Sequence, residues 1–483
     1  MTFVLDSARS YPRSADLVAI PVATTGPVGR QIGLTRSALA AHGFEAKVGQ
    51  TLIVPKADGP TVVAVGIGDP KKFGVTEIRD AAAAVARASA KRNHVAVGLV
   101  DATTIDARSA AQAVVEGFLL GSYRYTALKS SNNHRIPDLT LVSSTARARG
   151  TDSGIERGRV TASAASLARD LANTPPAHLT ARLLADKAVQ VAQASGLEIE
   201  VFDRDKLEAM GCGGLLGVNK GSTEPPRMVK LTYTPNDPVG HLVMVGKGVT
   251  YDSGGISLKP SDAMHANMKM DMTGAAAVLS AMSALRALRC RAAVTGYLMC
   301  TDNRPSGSAM AMGDVLRFRN GKTAEIHNTD AEGRLILADG LSLATELKPD
   351  AIVDIATLTG ACLSALGPSI AGVLGTNQHF IEQVVAAGTK TDEPVWQLPL
   401  ERSYRKFLDS NVADMKNIGG PYGGAITAAL FLAEFTGDVP WAHLDIAGPM
   451  NVDADDAWLS RGATGFGSRL LIDLALNFTK PKR

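Results

Sequence analysis

Short apolar runs alternate along the chain with longer segments in which apolar residues recur every three or four positions. The short runs end in glycine or polar turns and predict β-strands, whereas the longer periodic segments predict helices. In the first part of the chain, residues 62–68 and 95–100 are predicted strands, and residues 78–90 form a predicted Ala-rich helix. Strands that alternate with helices predict an α/β fold with a largely buried sheet.

The pattern changes near residue 150, and this change predicts two domains. Residues 144–154 are small and polar, which is typical of a domain boundary, and a helix follows that Asn173, Thr174, Pro175 and Pro176 would end. We therefore expect a smaller N-terminal α/β domain (residues 1–155), a linking helix (156–178) and a larger C-terminal domain (179–483). The larger domain should have a central mixed sheet flanked by helices.

The same alternation of strands and helices continues through the second part of the chain. Thr180 is a predicted helix cap, Asp205 is predicted to open a short helix, and Gly196 and Gly211 are predicted helix ends. Further helices are predicted over residues 273–288 and 334–347. The predicted strands are residues 197–202, 228–233, 242–249, 293–300 and 351–356.

Composition narrows the class of protein. The chain has 483 residues, 45% of them hydrophobic, and a net charge of only +3, which excludes a mainly disordered state. No uninterrupted apolar stretch is long enough to predict a membrane span, and the first residues do not resemble a signal peptide. The four cysteines form no Cys-x-x-Cys pair and are expected to be buried thiols. We expect a cytoplasmic protein without a membrane partner.

Charge is divided unevenly along the chain. Residues 1–160 contain 20 Lys and Arg against 13 Asp and Glu, and the remainder is slightly acidic. A basic first part could contact nucleic acid. The basic residues are scattered, however, which favours an ordinary solvated surface.

Ionisable residues are concentrated in three glycine-rich segments at predicted strand ends, where α/β sheets gather their ligands. They are Lys247, Asp252 and Lys259 in the first segment, Asp271 in the second, and Asp330, Glu332 and Arg334 in the third. Taken singly, each has an ordinary explanation as a turn residue, a helix cap, a favourable charge at a helix start or a surface lysine. Their clustering favours a functional site.

Several carboxylates that converge without compensation would raise each other's pKa values, and burial would add to this cost. Divalent cations remove the cost, and oxygen ligands suit Mg²⁺, Mn²⁺ and Zn²⁺. A desolvated Lys247 could add a neutral nitrogen ligand. Bridging carboxylates would hold two ions roughly 3.5–4 Å apart, as in two-metal hydrolysis.

Competing motifs do not fit. Gly246-Lys247 lacks the remaining residues of a phosphate-binding P-loop, and the pair Gly66-x-Gly68 lacks the third glycine of a dinucleotide loop. The run Asp252-Ser-Gly-Gly resembles the nucleophile loop of chymotrypsin-like proteases, but that fold is all-β and has no role for Lys247. No His-Glu-x-x-His is present.

Residues 328–335 (Asn-Thr-Asp-Ala-Glu-Gly-Arg-Leu), together with the segment from Lys247 to Lys259, resemble the leucine aminopeptidase family, or cytosol aminopeptidases. The resemblance extends to Asp-Leu-Ala-Asn-Thr-Pro-Pro at 170–176, Thr-Leu-Thr-Gly at 357–360 and Gly-Ala-Ile-Thr at 424–427. It covers most of residues 170–483. The first part of the chain is consistent with the family's smaller α/β domain.

The resemblance implies an exopeptidase that uses two divalent metal ions, Mn²⁺ or Zn²⁺, to remove N-terminal residues from peptides. One ion would be bound by Lys247, Asp252, Asp271 and Glu332, and the other by Asp252, Asp330 and Glu332. Lys259 would stabilise the developing oxyanion. Arg334 would hold a bicarbonate that transfers the proton.

The resemblance also implies a pocket for the first side chain of the substrate and a homohexameric assembly. The pocket positions are Met268, Thr357, Gly360, Ala447 and Met450. Their small or apolar character predicts a preference for Leu or Met. Thr273 and Tyr251 stand where the family frequently has glycine and phenylalanine, and neither is a proposed ligand.

Two other functions remain open from the sequence. The basic first part is compatible with a nucleic-acid-binding or regulatory protein built on the peptidase scaffold. A narrower dipeptidase that prefers substrates such as Cys-Gly is a third interpretation. The rates of hydrolysis of Leu-amide and Cys-Gly would distinguish it from a general aminopeptidase.

Overall fold

The structure is a computed structural model that describes residues 3–131 and 134–482. The chain divides into two units. The first comprises Met1–Ser166 and Val452–Gly462, and the second comprises Leu167–Asn451 and Ala463–Arg483. The first unit therefore contains a segment from near the end of the chain.

The first unit is built on a six-stranded sheet in the order β1-β6-β5-β2-β4-β3, in which only the edge strand β3 is antiparallel. Its strands are β1 (Leu5–Ala8), β2 (Leu17–Ala23), β3 (Thr51–Val54), β4 (Thr61–Gly68), β5 (His94–Val97) and β6 (Asp138–Val142), and its helices are α1 (Arg36–Ala41), α2 (Val75–Ala88) and α3 (Ala107–Ser122). The predicted strands at 62–68 and 95–100 and the predicted helix at 78–90 correspond to β4, β5 and α2.

The small, polar segment at 144–154, which we expected to precede the linking helix, is itself mostly helical. Helix α4 begins at Ala148 and ends at Asn173, the first residue of the predicted stop. Its glycines 150, 154 and 158 recur every fourth residue and therefore share one face of the helix. A Cβ at Gly154 would lie 2.3 Å from the carbonyl oxygen of Arg108 and 2.7 Å from Ala111 Cβ. The glycines are thus there to let α4 pack closely against α3.

The segment Val452–Gly462 is part of the first unit's core. Trp458 is 6% exposed and packs in the same hydrophobic cluster as the α2 and α3 residues. Asp455 forms ion pairs with Arg124 at 2.5 Å and with Arg87 at 3.4 Å, and Arg87 also donates a hydrogen bond to the carbonyl of Leu459 at 2.7 Å.

The second unit contains the remaining elements. Its helices are α5 (Ala181–Ser195), α6 (Arg204–Ala209), α7 (Gly213–Asn219), α8 (Ala263–Ala266), α9 (Thr273–Ala284), α10 (Gly333–Glu346), α11 (Gly360–Leu366), α12 (Gln378–Thr391), α13 (Gly424–Ala433) and α14 (Ser468–Leu476). Its strands are β7 (Glu198–Phe202), β8 (Arg227–Tyr233), β9 (His241–Asp252), β10 (Ala293–Asn303), β11 (Val315–Arg317), β12 (Thr323–Glu325), β13 (Ala351–Ala356), β14 (Ala371–Gly375), β15 (Val395–Gln397), β16 (Met415–Lys416) and β17 (Trp441–Asp445). A short pair, β18 (Asn451–Val452) and β19 (Gly462–Ala463), lies at the two ends of the returning segment.

The larger sheet has eight strands in the order β15-β14-β17-β13-β9-β10-β8-β7. Its central strands β17, β13, β9 and β10 are parallel, whereas β14, β8 and β7 introduce antiparallel pairs. The prediction of an α/β fold with a central mixed sheet flanked by helices is confirmed. Because the central strands are parallel, their carboxyl ends meet at one edge of the sheet.

The predicted ends of α5 agree with the structure, whereas the predicted start of α6 does not. Thr180 caps α5 and Gly196 ends it in a left-handed conformation, as expected. Helix α6, however, is capped by the side chain of Asp203, which accepts from the backbone N–H of Lys206, and not by Asp205. Asp203 is the better cap because it is the first extended residue before the helix, whereas Asp205 lies within its first turn. Within the described residues, no helix is long and apolar enough to cross a membrane.

Candidate metal centre and active site

The candidate site lies at the carboxyl ends of the central parallel strands. Strand β9 carries Lys247 and ends at Asp252, which is paired in register with Asn303 at the end of β10. Helix α9 begins against these strands because Gly274 has no side chain: a Cβ there would lie 2.1 Å from the carbonyl oxygen of Ile355 in β13. This close approach places Asp271, just before the helix, beside Lys247.

Three carboxylates converge at the centre of the site. Asp252, Asp271 and Glu332 each offer an oxygen within 4.8 Å of the others, and all three side chains are buried. They come from three segments that are far apart in sequence. The convergence that the sequence predicted for these three residues is therefore present in the structure.

Lys247 is the cation among these carboxylates. Its Nζ lies 2.8 Å from Asp271 and 2.8 Å from Glu332, and it donates a hydrogen bond of 2.8 Å to the carbonyl of Thr357. Burial disfavours its charge, but Asp271 and Glu332 outweigh burial and raise the pKa of Lys247. One ammonium group thus faces three buried carboxylates.

Lys259 and Asp330 occupy the more open side of the site. Lys259 Nζ lies 2.8 Å from Asp252 Oδ2 and 2.6 Å from Asp330 Oδ1. The side chain of Lys259 is 18% exposed and that of Asp330 is 30% exposed, whereas that of Asp252 is only 3% exposed. Lys259 therefore links the buried carboxylates to the part of the site that solvent reaches.

The pKa values of the four carboxyl groups are shifted from their ordinary values. Burial and the nearby Glu332 raise the pKa of Asp252 to about 7, and burial raises the pKa of Asp271 well above its ordinary value. Burial also raises the pKa of Asp330, whereas Lys247 overcomes burial and lowers the pKa of Glu332. Such a site needs more positive charge than its lysines supply. Several carboxylate oxygens and an amine are donors that suit a divalent cation.

Arg334 has an unsatisfied donor in the interior. Its Nη1 donates to the backbone carbonyl of Asn417 at 2.8 Å, while its buried Nε has no hydrogen-bond partner among the described residues. Burial lowers the pKa of Arg334 to about 10. The free N–H is a fitting donor for a small anion.

Hydrogen bonds from neighbouring side chains fix the orientation of the carboxylates. Asn303 Nδ2 donates to Asp252 Oδ1 at 2.9 Å and to the carbonyl of Thr329 at 3.0 Å. Thr357 Oγ1 donates to Asp271 Oδ1 at 2.7 Å. The sequence interpretation did not identify Asn303 as part of the site, although its position at the end of the strand beside β9 was a usable signal.

The predicted pocket residues lie on segments that follow the central strands or precede α9. Thr357 touches both Lys247 and Asp271, and Met268 precedes Asp271 in a short 3₁₀ turn. The carboxylate of Asp445 accepts from the backbone N–H groups of Leu358, Thr359 and Ala447, which ties the Thr357–Gly360 segment to the segment after β17. A Cβ at Gly360 would meet open space, and Met450 lies three residues beyond Ala447.

A cavity of about 880 Å³ lies elsewhere in the second unit. Its lining includes Lys322, Arg402, Arg405 and Glu434 and contains none of the predicted site residues. Cavity size is therefore not what identifies the functional site.

Comparison with known protein families decides the class of protein. The model of the cytosol aminopeptidase family catalytic domain matches residues 166–472, and the model of that family's N-terminal domain matches residues 32–132. The chain belongs to the cytosol aminopeptidase family. The resemblance drawn from the sequence motifs is confirmed.

Curated relatives in this family are similar over nearly the whole chain. A probable cytosol aminopeptidase from Synechococcus sp. (strain JA-3-3Ab) is 43% identical over 458 residues, which cover 92% of this chain and 89% of the relative. A probable cytosol aminopeptidase from Streptomyces avermitilis is 41% identical over 491 residues, 98% of this chain and 94% of the relative.

Two solved structures have the same fold as this chain. The bottromycin maturation enzyme BotP superposes with a TM-score of 0.87 at 39% identity, and the match covers 96% of this chain and 99% of BotP. BotP in complex with Mn gives the same TM-score at 40% identity.

Membership of the cytosol aminopeptidase family makes this chain a metal-dependent aminopeptidase, a hydrolase that removes residues from the amino ends of peptides. Its cofactors are divalent metal ions, and the family uses two of them. The buried cluster of Asp252, Asp271 and Glu332 is a group of acidic side chains that could hold such an ion. The curated relatives are named as aminopeptidases, so the nucleic-acid-binding alternative is not favoured.

Proposed function

We propose that this aminopeptidase releases apolar N-terminal residues, preferentially Leu or Met, from peptides through a site that holds two divalent ions. The observation that carries the proposal is the convergence of Asp252, Asp271 and Glu332, of which the last two pair with the buried Lys247. Buried carboxylates that outnumber the buried cation beside them leave negative charge uncompensated, which is costly in the interior. A metal site explains the arrangement.

The ligands divide between a deeper and a more open position. Lys247, Asp252, Asp271 and Glu332 would hold one ion, and Asp252, Asp330 and Glu332 would hold the other, so that Asp252 and Glu332 serve both. The contact of Lys259 with both Asp252 and Asp330 supports grouping these two carboxylates. To act as a nitrogen ligand, Lys247 must release a proton. Mn²⁺ or Zn²⁺, when bound, would polarise the scissile carbonyl and lower the pKa of water.

The remaining charged residues of the site act on the substrate and on the proton. Lys259, partly exposed beside Asp330, would stabilise the negative charge that develops on the carbonyl oxygen of the substrate. Arg334 would hold a bicarbonate through its unpaired Nε, and that anion would accept and return the proton. This arrangement supplies a general base without a histidine.

The first side chain of the substrate would bind against Met268, Thr357, Gly360, Ala447 and Met450. Thr357 bonds to Asp271 and Lys247, so a substrate amine near the metal ligands would place its side chain beside Thr357. The open space at Gly360 leaves room for an unbranched or γ-branched chain such as Met or Leu. No charged residue belongs to this set, which favours apolar side chains.

Assembly and location follow from the same family. We propose a homohexamer, which size-exclusion chromatography with light scattering would test, and a cytoplasmic location, in keeping with the family's name.

The decisive experiment measures hydrolysis of Leu-p-nitroanilide by metal-stripped protein before and after addition of Mn²⁺, with N-acetyl-Leu-p-nitroanilide as the blocked control. Activity should require both the metal and the free amine. Asp330→Asn should abolish most of that activity, whereas Asp314→Asn should retain it, because Asp314 is paired with the surface residue Lys220 outside the cluster.

Metal-independent activity, or equal cleavage of the blocked substrate, would contradict the proposed mechanism. Comparison of Leu-p-nitroanilide with Glu-p-nitroanilide tests the apolar preference. Comparison of Leu-amide with Cys-Gly tests the narrower dipeptidase interpretation.

A further inference from the structure

A fully buried asparagine stands behind the segment that carries Asp330, Glu332 and Arg334. Asn417 follows the two-residue strand β16, which pairs in parallel with β12, and residues 326–332 follow β12. The backbone N–H of Asn417 donates to the carbonyl of Glu325 at 3.0 Å and extends this pairing. Its side chain is 0% exposed. The two parallel strands thus bring Asn417 directly beside the acidic segment.

The carboxamide of Asn417 makes hydrogen bonds with both its oxygen and its nitrogen. The Oδ1 atom accepts from the backbone N–H groups of His327 at 2.8 Å and Asn328 at 3.3 Å. The Nδ2 atom donates to the backbone carbonyls of Asn328 at 2.7 Å and Ala331 at 3.4 Å. These contacts hold the chain immediately before and after Asp330.

The backbone of Asn417 holds a second member of the site. Its carbonyl accepts a 2.8 Å hydrogen bond from Arg334 Nη1. The carboxamide therefore sets the path of residues 327–331, while the carbonyl sets the orientation of Arg334. The carboxamide contacts the backbone on both sides of Asp330, so it acts on the carboxylates of Asp330 and Glu332 through that backbone.

We infer that Asn417 is a positioning residue of the metal site: its carboxamide fixes the backbone from which Asp330 and Glu332 project. The inference rests on the proposed metal-ligand role of those two residues. The segment between Asn328 and Gly333 lies outside helix and strand, so regular secondary structure does not hold it. Side-chain hydrogen bonds to its backbone take over that task, as partners of metal ligands commonly do.

The test compares Asn417→Ala with the wild type in two measurements. Calorimetric titration of metal-free protein gives the affinity for Mn²⁺, and steady-state hydrolysis of Leu-p-nitroanilide gives kcat and KM separately. We expect Asn417→Ala to bind Mn²⁺ about 10–100-fold more weakly and to lose kcat more than KM rises. The substitution keeps the backbone carbonyl that Arg334 uses, so it isolates the effect of the carboxamide.

The matched control is Asn219→Ala. Asn219 is also 0% exposed in the same unit, and its carboxamide bonds to Arg204, the carbonyl of Glu224 and Thr301. Its removal should lower the unfolding temperature to a similar degree while leaving Mn²⁺ affinity and kcat unchanged. Asn417→Asp keeps an acceptor atom but loses the amide donor, and it replaces Asn417→Ala if that variant does not fold.

The outcomes separate this inference from the function on which it rests. One outcome is that the wild type binds Mn²⁺ while Asn417→Ala (or Asn417→Asp in its place) loses no more Mn²⁺ affinity and no more kcat than Asn219→Ala. In that case the positioning role is wrong and the metal site stands. If the wild type itself binds no Mn²⁺, the metal site is wrong and the positioning role falls with it.

Discussion

Replacement of Lys247 by methionine tests the electrostatic account of the site most directly. Methionine has a similar length and fills the same space, but it leaves Asp252, Asp271 and Glu332 within 4.8 Å of one another without their buried cation. Removal of one partner from a buried ion pair costs about 3–5 kcal/mol. Each of the two ion pairs that Lys247 forms is only 2.8 Å long, and its side chain is only 3% exposed, so solvent cannot replace them.

We therefore expect Lys247→Met to lower the free energy of unfolding of metal-free protein by about 3–5 kcal/mol. For a unit of about 300 residues, that corresponds to a fall of roughly 5–8 °C in the unfolding temperature. Differential scanning calorimetry in EDTA-containing buffer would measure it.

The control is Lys230→Met, which breaks an ion pair of nearly the same length. Lys230 lies 2.7 Å from Glu200, but the Glu200 side chain is 59% exposed, so its loss should cost at most about 1 kcal/mol. Equal destabilisation by the two substitutions would refute the argument that burial makes the Lys247 pairs important.

Three further outcomes are expected. Tyr251→Phe removes the 2.9 Å hydrogen bond between the Tyr251 hydroxyl and His265 Nε2, worth about 1 kcal/mol. This should raise KM for Leu-p-nitroanilide and speed amide hydrogen exchange over residues 262–268, and unchanged values of both would count against a role for the hydroxyl. Gly154→Val places a side chain where a Cβ already lies 2.3 Å from Arg108 O, so it should destabilise the first unit by about 1–3 kcal/mol, measured by urea unfolding. Ser153→Val, at an exposed position of the same helix, is its control and should be close to neutral. Burial raises the pKa of all four cysteine thiols, so none should react with Ellman's reagent at pH 8 before unfolding, and a thiol that reacts in the native protein would show that burial does not protect it.

The central chemistry could be predicted from the sequence because it is encoded locally. Lys247 lies on a central strand, and Asp271 and Glu332 stand just before the helices α9 and α10. Such glycine-rich junctions gather at the carboxyl edge of an α/β sheet, so these residues meet although 24 and 61 residues separate consecutive members in the chain.

The partners that orient these groups were not predictable in the same way. Asn417 follows a strand of only two residues, and its importance comes from pairing with β12, which lies about ninety residues earlier. Neither its residue type nor its neighbours distinguish it from an asparagine in a turn. The helical start of α4 was missed because glycine and polar residues favour loops locally, whereas tight packing against α3 outweighs that preference.

The return of residues 452–462 to the first unit has a consequence for how the protein is made. Residues 1–166 are synthesised well before Trp458, which packs in that unit's core but lies 292 residues after Ser166 in the chain. During translation the nascent first unit must therefore wait with part of its interior unfilled and with Arg87 and Arg124 lacking Asp455. A fragment that ends before residue 455 would leave this core without Trp458 and without the ion pairs of Asp455, so residues 1–166 do not hold the whole interior of the first unit.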